Sequence, residues 1–240
     1  MSAQGSARSV MVTGASRGIG LATARRFWQH DNGVVDLILV ARDSDDYAAA
    51  VAALEGHNEY RKRLHVYAAD VGDKQAIGAL VAEVIGEVER VDVLINNAGY
   101  TSPLPIHEIE FADFERTMRV NVYAPFLMVQ KMLHLGNQFE LILNVASTAG
   151  IKGRSGWLTY SSSKAALIAM SEAMKEELLI YGTRVVCISP GRCATALRRT
   201  LAPDEDPATI MQPEDVAAVI EMLASPVGRF VDSENLVVRL

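Results

Sequence analysis

Short apolar runs and longer stretches of helical periodicity alternate along most of the chain. Residues 9–13, 36–41, 64–68, 91–95, 141–146 and 184–189 read as strands. The run 36–41 is almost uninterruptedly apolar, which suits a parallel sheet covered on both faces. Residues 21–30, 44–54 and 74–88 read as helices, with Ser44 placed to cap the second. Residues 111–135 read as one long helix that Pro125 should bend. An apolar, glycine-free helix follows Tyr160 and runs to about Tyr181. Pro213, Glu214 and Asp215 have the chemistry of a first helical turn, for a helix ending near Ala224, and residues 236–240 form a last short strand. This alternation predicts an α/β fold: a doubly wound parallel β-sheet flanked by helices on both faces. The periodicity lapses in residues 100–107, 150–156 and 196–212. The last of these carries Pro203 and Pro207 and is expected to be mobile and to border the mouth of a site.

A length of 240 residues, half of them hydrophobic, suits one large domain over residues 9–240 after a flexible polar start at 1–8. The net charge of −6, with no block of Lys or Arg, argues against nucleic acid or an anionic membrane as partner. No apolar run is long enough to span a bilayer, and residues 1–8 lack the apolar stretch of a secretory leader. Cys187 and Cys193 are too few for a disulfide framework and suit a cytoplasmic location. The five histidines, at 30, 57, 65, 107 and 134, lack metal-ligand spacing, so no metal is expected.

Two stretches carry chemistry. Gly14-Ala-Ser-Arg-Gly-Ile-Gly20 stands between a strand and a helix. Its glycines permit a tight turn and close backbone approach, and the helix N-terminus offers unpaired N–H groups to a phosphate. Tyr160-Ser-Ser-Ser-Lys164 sets a phenol and an ammonium one helical turn apart. A free phenol has a pKa of about 10. A nearby ammonium lowers it, which makes a tuned general acid or base.

With these in order, the chain resembles the short-chain dehydrogenases/reductases over residues 10–240. The motifs are residues 13–20, Asp70-Val71, Asn96-Asn-Ala-Gly99, Asn121, Ser147, Tyr160 with Lys164, and Pro190-Gly191 with Thr195. The resemblance implies a Rossmann-type sheet, a nicotinamide cofactor and a small-molecule carbonyl or alcohol substrate. It also implies a homo-oligomer, dimer or tetramer, built through two long helices and the last strand. Tyr160 would exchange a proton with the substrate oxygen and Ser147 would hydrogen-bond that oxygen. Lys164 would hold the nicotinamide ribose and lower the Tyr160 pKa, and Asn121 would hold a water joining Lys164 to solvent. The cofactor would lie against Gly14, Ser16, Arg17, Gly18, Ile19 and Gly20, then Ala41 and Arg42, Asp70 and Val71, and Asn97, Ala98 and Gly99. It would also meet Tyr160, Lys164, Pro190, Gly191, Cys193 and Thr195. Asp70 would touch the adenine edge, Asn97 the adjoining ribose region and Thr195 the carboxamide.

In such folds an acid at the end of the second strand binds the adenosine ribose and selects NAD. Here that strand ends Val40-Ala41-Arg42, with Asp43 as the counter-signal. Arg42 and Arg17 are suited to a 2′-phosphate, so NADP(H) is the expected cofactor. Blander roles stand beside these. Ser147 could be a strand-end turn residue, Asn121 a polar helix-face residue, and Asp70 the cap of the helix after Val71. Trp157 and Leu158 suit pocket or core equally, and Arg192 suits the surface better than an anionic substrate. Two departures bear on substrate and assembly: the segment between Thr195 and Pro213 is short for a lid, and the usual glycine-rich turn after the last strand is missing. The expected function is NADP(H)-dependent interconversion of a carbonyl and a secondary alcohol, in the manner of 3-oxoacyl-[acyl-carrier-protein] reduction. The alternatives are a sugar or polyol dehydrogenase and a non-catalytic dinucleotide-binding protein.

Overall fold

A computed structural model describes residues 8–231 and 235–240. The expected flexible start lies outside them, apart from Arg8, which opens the first strand. In chain order the first elements are β1 (Arg8–Thr13), α1 (Gly18–Gln29), β2 (Val34–Ala41), α2 (Asp45–Glu55), β3 (Arg63–Ala68), α3 (Lys74–Val88) and β4 (Val93–Asn96). Then come α4 (Phe111–Met118), a π-turn (Arg119–Tyr123), α5 (Ala124–His134), β5 (Leu141–Val145), α6 (Thr148–Ile151) and α7 (Leu158–Leu178). The chain closes with β6 (Arg184–Pro190), α8 (Ala196–Leu201), α9 (Pro213–Ala224) and β7 (Asn235–Val238).

Side chains alternate across each strand, so the central strands feed two cores. Val10 and Val12 of β1, Leu37 and Leu39 of β2, and Ile95 of β4 pack against Phe27 and Trp28 of α1 and Ile220 of α9. Met11, Ile38, Val40 and Leu94 point the other way, onto Leu80 and Val84 of α3 and Met128 and Met132 of α5. Burial on both faces explains why these strands read as continuous apolar runs. The strand order is β3-β2-β1-β4-β5-β6-β7, with every pairing parallel. The chain winds outward from β1 to β3, returns to the centre at β4, and winds outward the other way. A crevice therefore opens at the carboxyl ends of β1 and β4, the usual ligand position in such sheets. The expected Rossmann-type architecture is the one observed.

The structure differs from expectation in two segments. Residues 111–134 run as one continuous helix, but its irregularity is a π-turn ahead of Pro125. The π-turn joins α4 to α5, and Pro125, which has no N–H to give, directly follows it at the start of α5. Residues 196–212 are not without structure. They hold α8, capped by Thr195 Oγ1 accepting from Arg198 N at 3.0 Å, and end in a parallel bridge between Cys193 and Met211.

Buried charge ties β2 to β3. The Asp36 carboxylate accepts from Arg63 Nε at 2.6 Å and Nη2 at 2.5 Å, and His65 Nε2 lies 2.7 Å away. The Arg63 guanidinium holds the Asp36 carboxyl below its ordinary range; burial opposes this and His65 adds to it.

Candidate active site

The loop after β1 is built around close contact with the loop after β4. Gly14 has φ +70°, and a Cβ there would stand 2.8 Å from Ala98 Cα. A Cβ on Gly20 would stand 2.2 Å from the Gly14 carbonyl oxygen. Only glycine fits either position. Thr13 Oγ1 accepts from the backbone N–H of Asn97 at 3.0 Å and of Ala98 at 3.1 Å. Asn97 Nδ2 donates to the carbonyl oxygens of Thr13 at 2.9 Å and Gly14 at 3.3 Å. Asn97 thus braces the glycine-rich loop with the amide that the resemblance aimed at a ribose. Thr13, which the sequence reading included in the motif without a role, is a positioning residue.

The N-terminus of α1 follows directly. Its cap residue, Arg17, makes no side-chain capping bond, and no acid lies in the first turn. The helix-end N–H groups are therefore free of side-chain acceptors, as an anion site requires. Gly18 sits under Thr195, whose Cγ2 would be 3.3 Å from a Cβ there. Ser16 and Ile19 are half-buried, Ile19 packing on the core. Arg17 is exposed and 3.4 Å from Asp46, and Arg42 is exposed beyond the end of β2.

Two of the expected cofactor residues turn their side chains elsewhere. Ala41 and Cys193 are buried in the core. Gly191 packs on β7, its N–H donating to Val238 O at 2.8 Å, with Pro190 buried beside it. Asp70 is exposed at the end of β3 and accepts from Gly72 N at 2.8 Å. The helix after it is capped by Asp73, not Asp70. Val71 is buried beneath that turn, and Gly99 lies under Leu197 of α8.

The catalytic candidates converge at the carboxyl end of β5. Ser147 follows the strand and caps α6, its Oγ accepting from Ala149 N at 3.1 Å. Tyr160 and Lys164 occupy consecutive turns of α7 and are both buried, at 6% and 3% exposure. Burial pushes the Tyr160 phenol up; the Ser147 hydroxyl and the charge of Arg198 pull it back. Lys164 was expected to be the cation that lowers it. Instead Lys164 Nζ turns to the Val145 carbonyl oxygen at 2.7 Å and lies 5.9 Å from the centre of the Tyr160 ring. Burial lowers the Lys164 ammonium to about 8. Asn121 sits on the π-turn, fully buried. Its Oδ1 accepts from Tyr100 N at 2.8 Å, and its Nδ2 donates to Tyr100 O and Ser163 Oγ, each at 2.9 Å.

Above these residues lies the segment after β6. The Arg198 guanidinium stands 5.4 Å from the centre of the Trp157 ring. Its Nε and Nη2 donate to Glu205 at 2.5 and 2.8 Å. Arg192, exposed, reaches the same carboxylate at 3.2 Å. Trp157 is half-buried, and Leu158 is 39% exposed, so neither is core. Arg198 was missed because a short helix gives no periodic signal. Among the described residues no cluster of His, Cys, Asp or Glu could hold a metal ion, and no helix is long and apolar enough to cross a membrane.

Comparison with known proteins agrees with this geometry. The family model for short chain dehydrogenases matches residues 8–206. The L-fucose dehydrogenase of Mus musculus is 35% identical over 236 residues, covering 92% of this chain and 83% of that protein. A 3-oxoacyl-[acyl-carrier-protein] reductase, FabG of Aquifex aeolicus, is 28% identical over 93% of this chain and 92% of its own. Among solved structures, a blue fluorescent protein from a metagenomic library, in complex with NADPH, superposes with a TM-score of 0.84. It is 29% identical, over 97% of this chain and 96% of that one. The chain belongs to the short-chain dehydrogenase family.

Proposed function

We propose that the protein is an NADP(H)-dependent oxidoreductase that interconverts a carbonyl and a secondary alcohol, with Tyr160 as the proton-exchanging group. The observation that carries this reading is the convergence of Ser147, Tyr160 and Lys164 at the carboxyl end of the sheet. Beside them are the uncapped N-terminus of α1 and the glycine cradle against Ala98, which fit a dinucleotide pyrophosphate. Arg17 and Arg42 suit a 2′-phosphate, and the NADPH complex of the related structure supports that choice. When bound, a nicotinamide dinucleotide supplies the hydride.

The chain's own residues supply position and the proton. In reduction Tyr160 Oη donates its proton to the substrate oxygen, and Ser147 Oγ donates a hydrogen bond to the same atom. In oxidation the Tyr160 phenolate accepts the proton. Lys164, which donates to the Val145 carbonyl, would hold ribose hydroxyls, and Thr195, over Gly18, would hold the carboxamide. Asn121 acts through Tyr100 and Ser163 as a positioning residue. Asp70 keeps an exposed carboxylate for the adenine edge.

Within this reading, 3-oxoacyl thioester reduction draws support from the FabG relative, and sugar or polyol oxidation from the L-fucose dehydrogenase. A non-catalytic dinucleotide binder has no use for Ser147, Tyr160 and Lys164 together. A homo-oligomer, dimer or tetramer, is supported by exposed Phe111, Tyr123, Phe126, Ile180 and Phe230. The buried free thiols of Cys187 and Cys193 agree with the cytoplasm. The test is a panel of ketones, 3-oxoacyl thioesters, sugars and secondary alcohols, followed by cofactor absorbance with NADPH or NADP. Turnover is expected; none with any member, by a protein that binds NADPH, would favour the non-catalytic reading.

A further inference from the structure

The segment after β6 closes over the site through three contacts: Thr195 on Gly18, Leu197 on Gly99, and Arg198 on Trp157. Of these only Arg198 brings charge. Trp157 directly precedes α7, one helical turn before Tyr160. A guanidinium over its ring is therefore about one turn from the reacting phenol. The Arg198 side chain is 18% exposed, so its charge is poorly screened. Its fork is filled by Glu205, a carboxylate gripped by two parallel N–H groups, the geometry in which arginine holds a free carboxylate. Arg192 shares that carboxylate. Two guanidiniums on one carboxylate leave one positive charge unpaired within the cluster. The acids nearest in sequence, Asp204 and Asp206, are exposed, and Asp206 caps a turn by accepting from Ala208 N.

We propose that Arg198 is a specificity-determining residue that selects oxo compounds bearing a carboxylate near the reacting carbonyl, with Glu205 occupying its fork until the substrate carboxylate arrives. The proposal rests on the reading of the site given above and narrows its substrate. Displacement of Glu205 leaves that carboxylate on Arg192, so no charge is stranded. Arginine, planar and always charged, suits this exchange better than lysine.

The test compares straight-chain oxo acids, with the carboxylate one, two or three carbons from the ketone, with their methyl esters in NADPH oxidation. At least one acid should exceed its ester by about tenfold or more in kcat/KM, the factor expected for one charge-assisted hydrogen-bond pair. Arg198→Gln should abolish that gap, lowering the acid about tenfold more than the ester, whose own turnover shifts only through the lost charge beside Tyr160. Arg198→Lys should keep part of it, and Glu205→Gln should widen it. Equal turnover of acid and ester by the parent, or an equal fall of both in Arg198→Gln, overturns the proposal. Tyr160→Phe run in parallel separates the two claims: an acid preference that survives without loss of turnover condemns the assigned proton donor and not Arg198. If no member is reduced, binding decides. Pentanoate should quench or shift the fluorescence of the NADPH complex where methyl pentanoate does not, and Arg198→Gln should lose the difference. Equal effects of the two ligands would reject the carboxylate site.

Discussion

Asn121 Nδ2 donates to Ser163 Oγ at 2.9 Å, and Ser163 Oγ donates to the Tyr160 carbonyl oxygen at 2.8 Å. One amide thereby joins the loop after β4, the π-turn and the first turns of α7. A π-turn puts one extra residue into the helix, and such turns recur at functional sites. Here it sets Asn121 against Tyr100 on one side and Ser163 on the other. Asn121→Ala would deprive the part-buried Tyr100 N–H and carbonyl of these partners. Loss of about 2–3 kcal/mol is expected, read from urea unfolding. A midpoint equal to the parent's would show that the bridge bears no weight.

Tyr160→Phe keeps the buried ring and removes only the hydroxyl. NADPH should bind as before, while kcat falls by about 10²-fold or more, the usual contribution of a positioned proton donor. Turnover close to the parent's would remove Tyr160 from the mechanism.

Cofactor choice rests on exposed charge, which is simple to redesign. Ala41→Asp with Arg42→Ala supplies the acid that a ribose hydroxyl prefers and deletes one phosphate partner. The ratio of kcat/KM for NADPH over NADH should be above one in the parent and fall by about tenfold or more in the double variant. A parent that prefers NADH, or an unmoved ratio, contradicts the assignment. Arg17 then offers a second position to probe, since among the described residues its close acid is Asp46 at 3.4 Å.

The strand and helix plan was legible because each element announces itself locally. Lys74–Val88 and Pro213–Ala224 match the reading residue for residue, the second because proline and acids mark its first turn. The π-turn was not legible. Five residues at a slightly wider period cannot be told from α-helix, and Pro125 drew attention to the wrong position. Tyr160, Ser147 and Lys164 were legible as a set, but the direction of Lys164 was not. It depends on where β5 leaves the Val145 carbonyl, which is tertiary information. Arg198 lay hidden for the same reason: its partners, Trp157 and Glu205, are distant or aperiodic in sequence.

The Asp36 cluster gives an acid-sensitivity prediction. Its folded pKa is depressed, chiefly by Arg63, so its contribution to stability is complete above the unfolded value, about 4. That contribution is lost as pH falls through the depressed folded value. Asp36→Asn should therefore lower the urea midpoint near neutral pH by the equivalent of about 1–3 kcal/mol. The gap between parent and variant should close as the solution is acidified. A constant gap down to strong acid would mean that packing, not charge, sets the difference.

β1 is the first described strand, yet it lies between β2 and β4, with Val10 paired to both Leu37 and Val93. A nascent chain emerging in order can pair β1 with β2 early, by a short excursion through α1. The other edge of β1 must wait until β4 has been synthesised. Until then its backbone N–H and carbonyl groups stand open to any passing strand, a hazard of late-closing parallel sheets. The glycine-rich loop at its end also stays unbraced, because Asn97 and Ala98 arrive with β4. Dinucleotide affinity should therefore appear abruptly along a series of lengthening ribosome-stalled chains, once β4 has cleared the exit tunnel, and not grow in proportion to length.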